Sequence, residues 1–283
     1  MIRAAILDVD GVIVGEKKGF NFPQPHPKVI ARLQEIRQRG IPISLCTAKP
    51  YYAVEKIISD AHLDNLHITM AGGVITDPID NVVLRKYTLP NDIVQNLIKT
   101  YLNNGIYIEV YAVDDYYLQA GLVSKLTDQR VEVLQRQPVI VQSLAEEAAK
   151  QEIVKVMPIA QDDESRSKIT QLFIPYKNDL TISWTIHPFT MPCQYGNITA
   201  RGISKKQAVS IVSDSLNVPA EDILGVGDGI ADWQFMELCG YTAAMGNASE
   251  ELKQLVTSKG GNGYIGKPVN EHGILDIFDH FKM

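Results

Sequence analysis

Short continuous apolar runs alternate along this chain with apolar stripes at helical spacing. Ala4-Ala5-Ile6-Leu7 is the first run, and it stops at Asp8. A run of this kind suits a strand buried on both faces of a parallel sheet. Val29, Ile30, Leu33 and Ile36 then recur at helical spacing, with Gly40 as a stop. Residues 41–46 form a second run ending at Thr47, and Pro50 suits the first turn of a helix continuing toward His62. Strand, helix, strand and helix in this order predict a doubly wound α/β fold with a parallel sheet.

From about residue 82 the rhythm changes. Residues 106–113, 139–141, 153–157 and 180–186 are rich in Ile, Val and Tyr, and helix-like stretches at 91–102, 144–151 and 165–174 lie between them. The pattern predicts a separate, smaller α+β module. The α/β rhythm returns near Ile203, with a helix over 203–216, an apolar run at 223–226, a short strand at 241–245 and a helix from about Ala248. The expected organisation is therefore a core of residues 1–81 and 194–283 split by an inserted unit of 82–193.

Composition narrows the class. Of 283 residues 45% are hydrophobic, enough to bury a real core, and 27 Lys and Arg against 33 Asp and Glu leave a formal charge of -6. A general affinity for nucleic acid would need a concentrated basic surface, so none is expected. Cys46, Cys193 and Cys239 are odd in number and widely spaced, which favours buried thiols over disulfides or a zinc site. No apolar leader or membrane-length run is visible. The expectation is a soluble protein of a reducing, cytoplasmic compartment; oligomeric state is left open.

Several polar residues fall where the apolar runs end. Asp8 and Asp10 in Asp8-Val9-Asp10-Gly11 are two apart, so on an extended strand both carboxylates face one side. Ligands of open α/β sheets bind beyond the carboxyl ends of the strands. Two acids so close repel, and a cation or a shared proton is expected there; an acidic turn is the plainer alternative. The run at 223–226 delivers Gly227-Asp228-Gly229-Ile230-Ala231-Asp232 in the same manner, although Asp228 or Asp232 could simply cap a helix near Trp233. Ser204 and Gln207 have capping-box spacing, which puts Lys205 and Lys206 in a first helical turn. Cations are unfavourable there unless an anion binds. Thr47 could donate to a phosphate oxygen or cap a turn. Asn247 and Glu250 also have capping-box spacing, and capping is the better single explanation of Asn247.

Asp8-Val9-Asp10-Gly11, Thr47, Lys205 and Gly227-Asp228…Asp232 occur in the order of the four motifs of the haloacid dehalogenase superfamily, which this chain resembles. Ala244-Met245-Gly246-Asn247-Ala248 is similar to a further hallmark of the Cof-type phosphatases, which carry a cap between the second and third motifs. The resemblance implies a phosphatase for a small phosphorylated substrate, with Asp8 as nucleophile and Asp10 as general acid and base. It places Thr47, Lys205 and Asn247 at the phosphate. Magnesium (Mg2+) would be held by Asp8, the backbone carbonyl of Asp10 and Asp228, with Asp232 as a ligand or just behind. Val12 stands where many relatives carry Thr, Lys49 where an Arg is common, and Ala231 where an Asn usually precedes the last acid. A phosphomutase sharing the aspartyl-phosphate step and a non-catalytic phosphate-binding regulator are the competing readings. Glu109, Tyr111, Tyr116, Tyr117, Trp184 and His187 are candidate cap contacts to substrate, though packing is the commoner role for each.

Overall fold

Residues Ala4–Leu7 form the first strand, and its four side chains divide between two faces. Ala5 and Leu7 join one buried apolar cluster, Ala4 and Ile6 another. A strand covered on both sides in this way must lie inside a sheet with helices on each face. The structure, a computed structural model, describes residues 1–80 and 82–283. In chain order the elements are β1 (Ala4–Leu7), α1 (Pro27–Gln38), β2 (Ile43–Leu45), α2 (Glu55–Asp60), β3 (His67–Thr69), β4 (Val74–Asp77) and β5 (Val82–Lys86). There follow α3 (Asn91–Asn103), β6 (Tyr107–Tyr111), β7 (Tyr116–Gln119), α4 (Lys125–Leu134), β8 (Val139–Val141), α5 (Leu144–Ala148), β9 (Lys155–Ala160), α6 (Asp163–Phe173), β10 (Leu180–Ile186) and β11 (Gln194–Ala200). The chain closes through α7 (Lys205–Leu216), β12 (Ile223–Gly227), α8 (Trp233–Met236), β13 (Tyr241–Ala244), α9 (Glu250–Thr257), β14 (Gly263–Ile265) and α10 (Gly273–His280).

Five strands in the order β14-β13-β12-β1-β2 pair in parallel as the core sheet. On one face α1 buries Val29, Leu33 and Ile36, and α10 buries Ile274, Ile277 and Phe278. On the other, Val209 and Val212 of α7 and Leu252 and Val256 of α9 pack against Ala4 and Ile6. Each such side chain, fully buried, contributes about 1.5–3 kcal/mol. The expected doubly wound α/β core is thus present. Beyond β2, a parallel bridge from Cys46 to Ile68 joins a three-stranded antiparallel sheet, β3-β4-β5.

The inserted cap is a six-stranded, mostly antiparallel sheet, β10-β11-β9-β6-β7-β8, with α3, α5 and α6 packed on one face. Its other face looks onto the core. On β9, Lys155, Met157 and Ile159 point that way while Val156 and Ala160 enter the helix-covered cluster. The strand pairing does not change at the expected division of 193/194. Gln194–Ala200 pairs antiparallel with β10 and β9, so the chain leaves the cap sheet only after Ala200. Likewise Val82–Lys86 pairs with Val74–Asp77 rather than with the cap. Both strands sit beside a motif or a turn, and an isolated strand carries no mark of its sheet partner. Cys46 and Cys239 are buried, as expected, but Cys193 is partly exposed. Among the described residues no helix is long and apolar enough to cross a membrane.

Candidate active site

Parallel pairing brings the ends of β1, β2 and β12 together, and three of the sequence motifs with them. Asp8 follows β1 directly and its N–H donates to Val226 O at 3.0 Å, which ties it to the neighbouring strand. Asp228 follows β12. Between these two loops Gly11 adopts φ +78°, and a Cβ there would lie 1.9 Å from Asp228 Oδ2. Only glycine fits this left-handed turn and this approach. One carboxylate oxygen each from Asp8, Asp228 and Asp232 lies within 4.8 Å of the others.

Lys205 joins this acidic group from the start of α7. Its N-cap, Ser204, accepts from Lys206 N at 3.2 Å, so the helix begins where the spacing places it. The buried Lys205 ammonium donates to Asp8 Oδ1 at 2.9 Å and to Asp232 Oδ1 at 2.6 Å. The other oxygen of Asp232 accepts the N–H groups of Asp228 and Gly229, each at 3.0 Å. Asp232 therefore fixes the Asp228 loop and the lysine at once, with both oxygens engaged.

Asp10 is turned elsewhere. Lys49 Nζ lies 2.7 Å from its Oδ1, and His187 Nε2, from the loop between β10 and β11, lies 3.0 Å from the same atom. His187 Nδ1 accepts from Phe189 N at 3.1 Å. The hydrogen of a neutral ring therefore sits on Nε2, the nitrogen nearer Asp10. Thr47 is buried beside this pair; its Oγ1 accepts from Lys49 N at 3.2 Å and keeps its own hydrogen to donate.

A family model of haloacid dehalogenase-like hydrolases matches residues 5–278. The chain belongs to that family. Among curated relatives it is similar to the phosphatase YwpJ of Bacillus subtilis (strain 168), 21% identical over 295 residues covering 99% of each chain. Among solved structures it resembles a haloacid dehalogenase-like hydrolase from Bacteroides thetaiotaomicron, TM-score 0.82 and 18% identity, covering 99% of this chain and 100% of that one. The HAD subclass IIB sugar phosphatase BT4131 matches with TM-score 0.79 and 19% identity over 99% of both chains.

Charge in the hydrolase's site is far from its ordinary state. Burial, reinforced by Asp232 and Asp10 and opposed by Lys205, pushes the Asp8 carboxyl up to about 7. Burial, with Asp232 and Asp8 nearby, holds Asp228 well above the usual carboxylate range. Burial acts on Asp10 in the same sense, but His187 and Lys49 together outweigh it and hold that carboxyl low. Lys205 is raised despite burial, by Asp232 and Asp8. Crowded acids that resist ionisation are what a hard cation relieves, and an all-oxygen donor set suits Mg²⁺ or Ca²⁺.

The structure brings Asp8, Asp10, Thr47, Lys205, Asp228 and Asp232 to one region and treats Asn247 differently. Its Nδ2 donates to Gly11 O at 2.9 Å and approaches Asp228 Oδ2 at 3.5 Å, while its Oδ1 accepts from Val269 N at 2.7 Å. Asn247 thus clamps the two acidic loops. Nor does it cap a helix, since Ser249 caps α9 by accepting from Leu252 N. Of the cap candidates, His187 reaches Asp10. Glu109 and Tyr111 are buried with Arg130, which lies 3.1 Å from Glu109 Oε1 and donates to the Tyr111 hydroxyl at 2.9 Å. Tyr116 donates to Arg136 O, Tyr117 packs in the cap's own core, and Trp184 lies against Arg166. Lys155, Asn197 and Thr185, which line one pocket with Asp8, Asp10, Thr47 and Lys205, carry no sequence motif.

Proposed function

We propose that the protein is a magnesium-dependent phosphatase of small phosphorylated metabolites, with sugar phosphates as the leading class, acting through an aspartyl-phosphate on Asp8. The observation that carries this reading is the Lys205 ammonium 2.9 Å from Asp8 beside three carboxylates within 4.8 Å of one another. A carboxylate attacking a phosphate dianion needs its repulsion neutralised, which Lys205 and a cation held by the acids would do. The chain is a hydrolase by family, and the phosphatase names of its relatives point to the phosphoric monoester class.

In this reading Asp8 Oδ attacks phosphorus and the bond to the leaving oxygen breaks. Lys205 and Thr47 hold the phosphoryl oxygens. Asp10 gives its proton to the leaving alcohol and then takes one from the water that cleaves the acyl phosphate. Lys49 and His187 hold Asp10 as a carboxylate in the free protein. The negative charge of an arriving phosphate raises its proton affinity, so that it takes up from solvent, as substrate binds, the proton it then donates. The proton it later takes from water returns to solvent. Asp8, Asp228 and the Asp10 backbone carbonyl would hold the magnesium ion, with Asp232 orienting Asp228 and Lys205. The ion's contribution is to offset the charge of the acids and the phosphate.

Free phosphate released from a panel of phosphorylated sugars and nucleotides, with Mg²⁺ and with excess EDTA, tests the reading. Release should require magnesium. Asp8→Asn should abolish it in a protein that melts as a folded one does, and turnover near the wild-type rate in that variant sinks the mechanism.

A further inference from the structure

The cap face opposite Asp8 carries a cation that no acid neutralises. Strand register places Tyr111 opposite Lys155 and Glu109 opposite Met157 on the same sheet face. Each other cation of this pocket has its partner: Lys205 has Asp8 and Asp232, Lys49 has Asp10, and Arg130 has Glu109. Lys155 is 1% exposed, and among the described residues no carboxylate lies within ion-pair reach of it. Its ammonium donates to Ala48 O at 2.7 Å and stands 4.2 Å from the centre of the Tyr111 ring. An ammonium has three donors; one goes to Ala48 O and a second can face the ring, so at least one remains to be used. Burial, with Arg130 adding and Glu109 opposing, pushes Lys155 down to about 7. A buried amine in that state gains from any anion placed beside it.

Asn197, on the neighbouring strand β11 and the same face, is the second observation. It is 1% exposed; Nδ2 donates to Thr185 Oγ1 at 3.0 Å and to Tyr195 O at 3.4 Å, and Oδ1 has no partner. Turning the amide over would set Oδ1 against the Tyr195 carbonyl, so the orphan is the acceptor. A buried acceptor left without a partner is costly, and a hydroxyl would satisfy it. Both residues line one pocket with Asp8, Asp10, Thr47 and Lys205.

We propose that Lys155 and Asn197 recognise the leaving group, so that the substrate is a phosphomonoester whose alcohol part carries a free hydroxyl and its own acid group, a carboxylate or a second phosphate. Lys155 takes the acid group and Asn197 the hydroxyl. A neutral sugar phosphate would satisfy Asn197 and leave Lys155 unmatched. The inference rests on the phosphatase reading.

The test compares kcat/KM for 6-phosphogluconate, fructose 1,6-bisphosphate and glucose 6-phosphate, with p-nitrophenyl phosphate as reference, in wild type, Lys155→Met and Lys155→Arg. One or both acid-bearing sugars should be preferred over glucose 6-phosphate, and which one identifies the carboxylate or the phosphate. Lys155→Met should lower that preference roughly 10–100-fold, the range for a hydrogen bond to a charged group, chiefly through KM, and Lys155→Arg should keep part of it. Magnesium-dependent hydrolysis of p-nitrophenyl phosphate without a preference for either acid-bearing sugar overturns the inference and leaves the phosphatase standing. A preference that survives Lys155→Met overturns it as well. No hydrolysis of any of the four removes the phosphatase reading, and this inference with it.

Discussion

Gly11 shows how one residue without a side chain can set the spacing of charges. Its φ of +78° and the 1.9 Å from a built Cβ to Asp228 Oδ2 are two separate demands, and an alanine violates both. The left-handed backbone costs an L-residue about 1–2 kcal/mol, and the methyl group must also push the Asp228 carboxylate away from Asp8. Gly11→Ala should therefore lower the melting temperature by a few degrees. It should also raise the magnesium concentration for half-maximal phosphate release by roughly 10–100-fold, the usual effect of disturbing a ligand's support. A magnesium titration checks this. An unchanged requirement in a protein that still folds would remove Asp228 from the set of ligands.

The loop between β10 and β11 is the element whose place could not be read from composition. Phe189 stacks on Phe22 of the core, ring centres 4.1 Å apart, and its N–H orients the His187 ring toward Asp10. An aromatic pair of this kind contributes about 0.5–1.5 kcal/mol beyond its buried area, enough to seat a loop but little against the stability of a whole fold. Phe189→Ala should cut kcat/KM about tenfold or more through misplaced Asp10 and His187, while shifting the melting temperature only slightly. Activity equal to wild type would show that the loop's seating does not matter to turnover. Asp8 and Asp228 were legible because each follows an apolar run, and parallel strands deliver such ends to one edge of the sheet; Asp10 and Asp232 were legible by their spacing from these two. Lys205 was legible as a cation placed against the helix dipole. Lys155 and Asn197 were not, since a polar residue alternating with apolar ones along a strand looks like a solvated face until a second layer covers it. Glu109 and Tyr111 take the packing role that is the commoner one for such residues, though their partner Arg130, in α4, a helix without a clear apolar stripe in the sequence, was not legible. The strand β11 was misassigned because its pairing is non-local, and sequence adjacency to Lys205 drew it to the core.

Taken as a whole, the molecule encloses Asp8, Asp10, Asp228 and Asp232 between two sheets, and this makes its stability depend on pH in a definite direction. Asp8 has a carboxyl pKa near 7 in the folded protein against an ordinary 3.8, and Asp228 is also raised. Between about pH 4 and 7 the metal-free folded state thus binds more protons than the unfolded chain, and stability falls as pH rises. For a single acid the loss is at most about 1.4 kcal/mol per pH unit in that window. Asp10, held low by His187 and Lys49, works oppositely: its contribution is present above pH 4 and is lost in stronger acid. Lys155, pushed down to about 7, releases its proton more readily when folded, so its burial costs less as pH rises above 7. In EDTA the melting temperature should therefore decline from pH 5 to pH 7. A cation bound by the ionised acids would displace their protons, so magnesium should raise the melting temperature more at pH 7.5 than at pH 5. Calorimetric melts at the two pH values, with and without Mg²⁺, decide the matter. A magnesium shift equal at both, or larger at pH 5, would mean that the raised acids are not the ones that bind the metal.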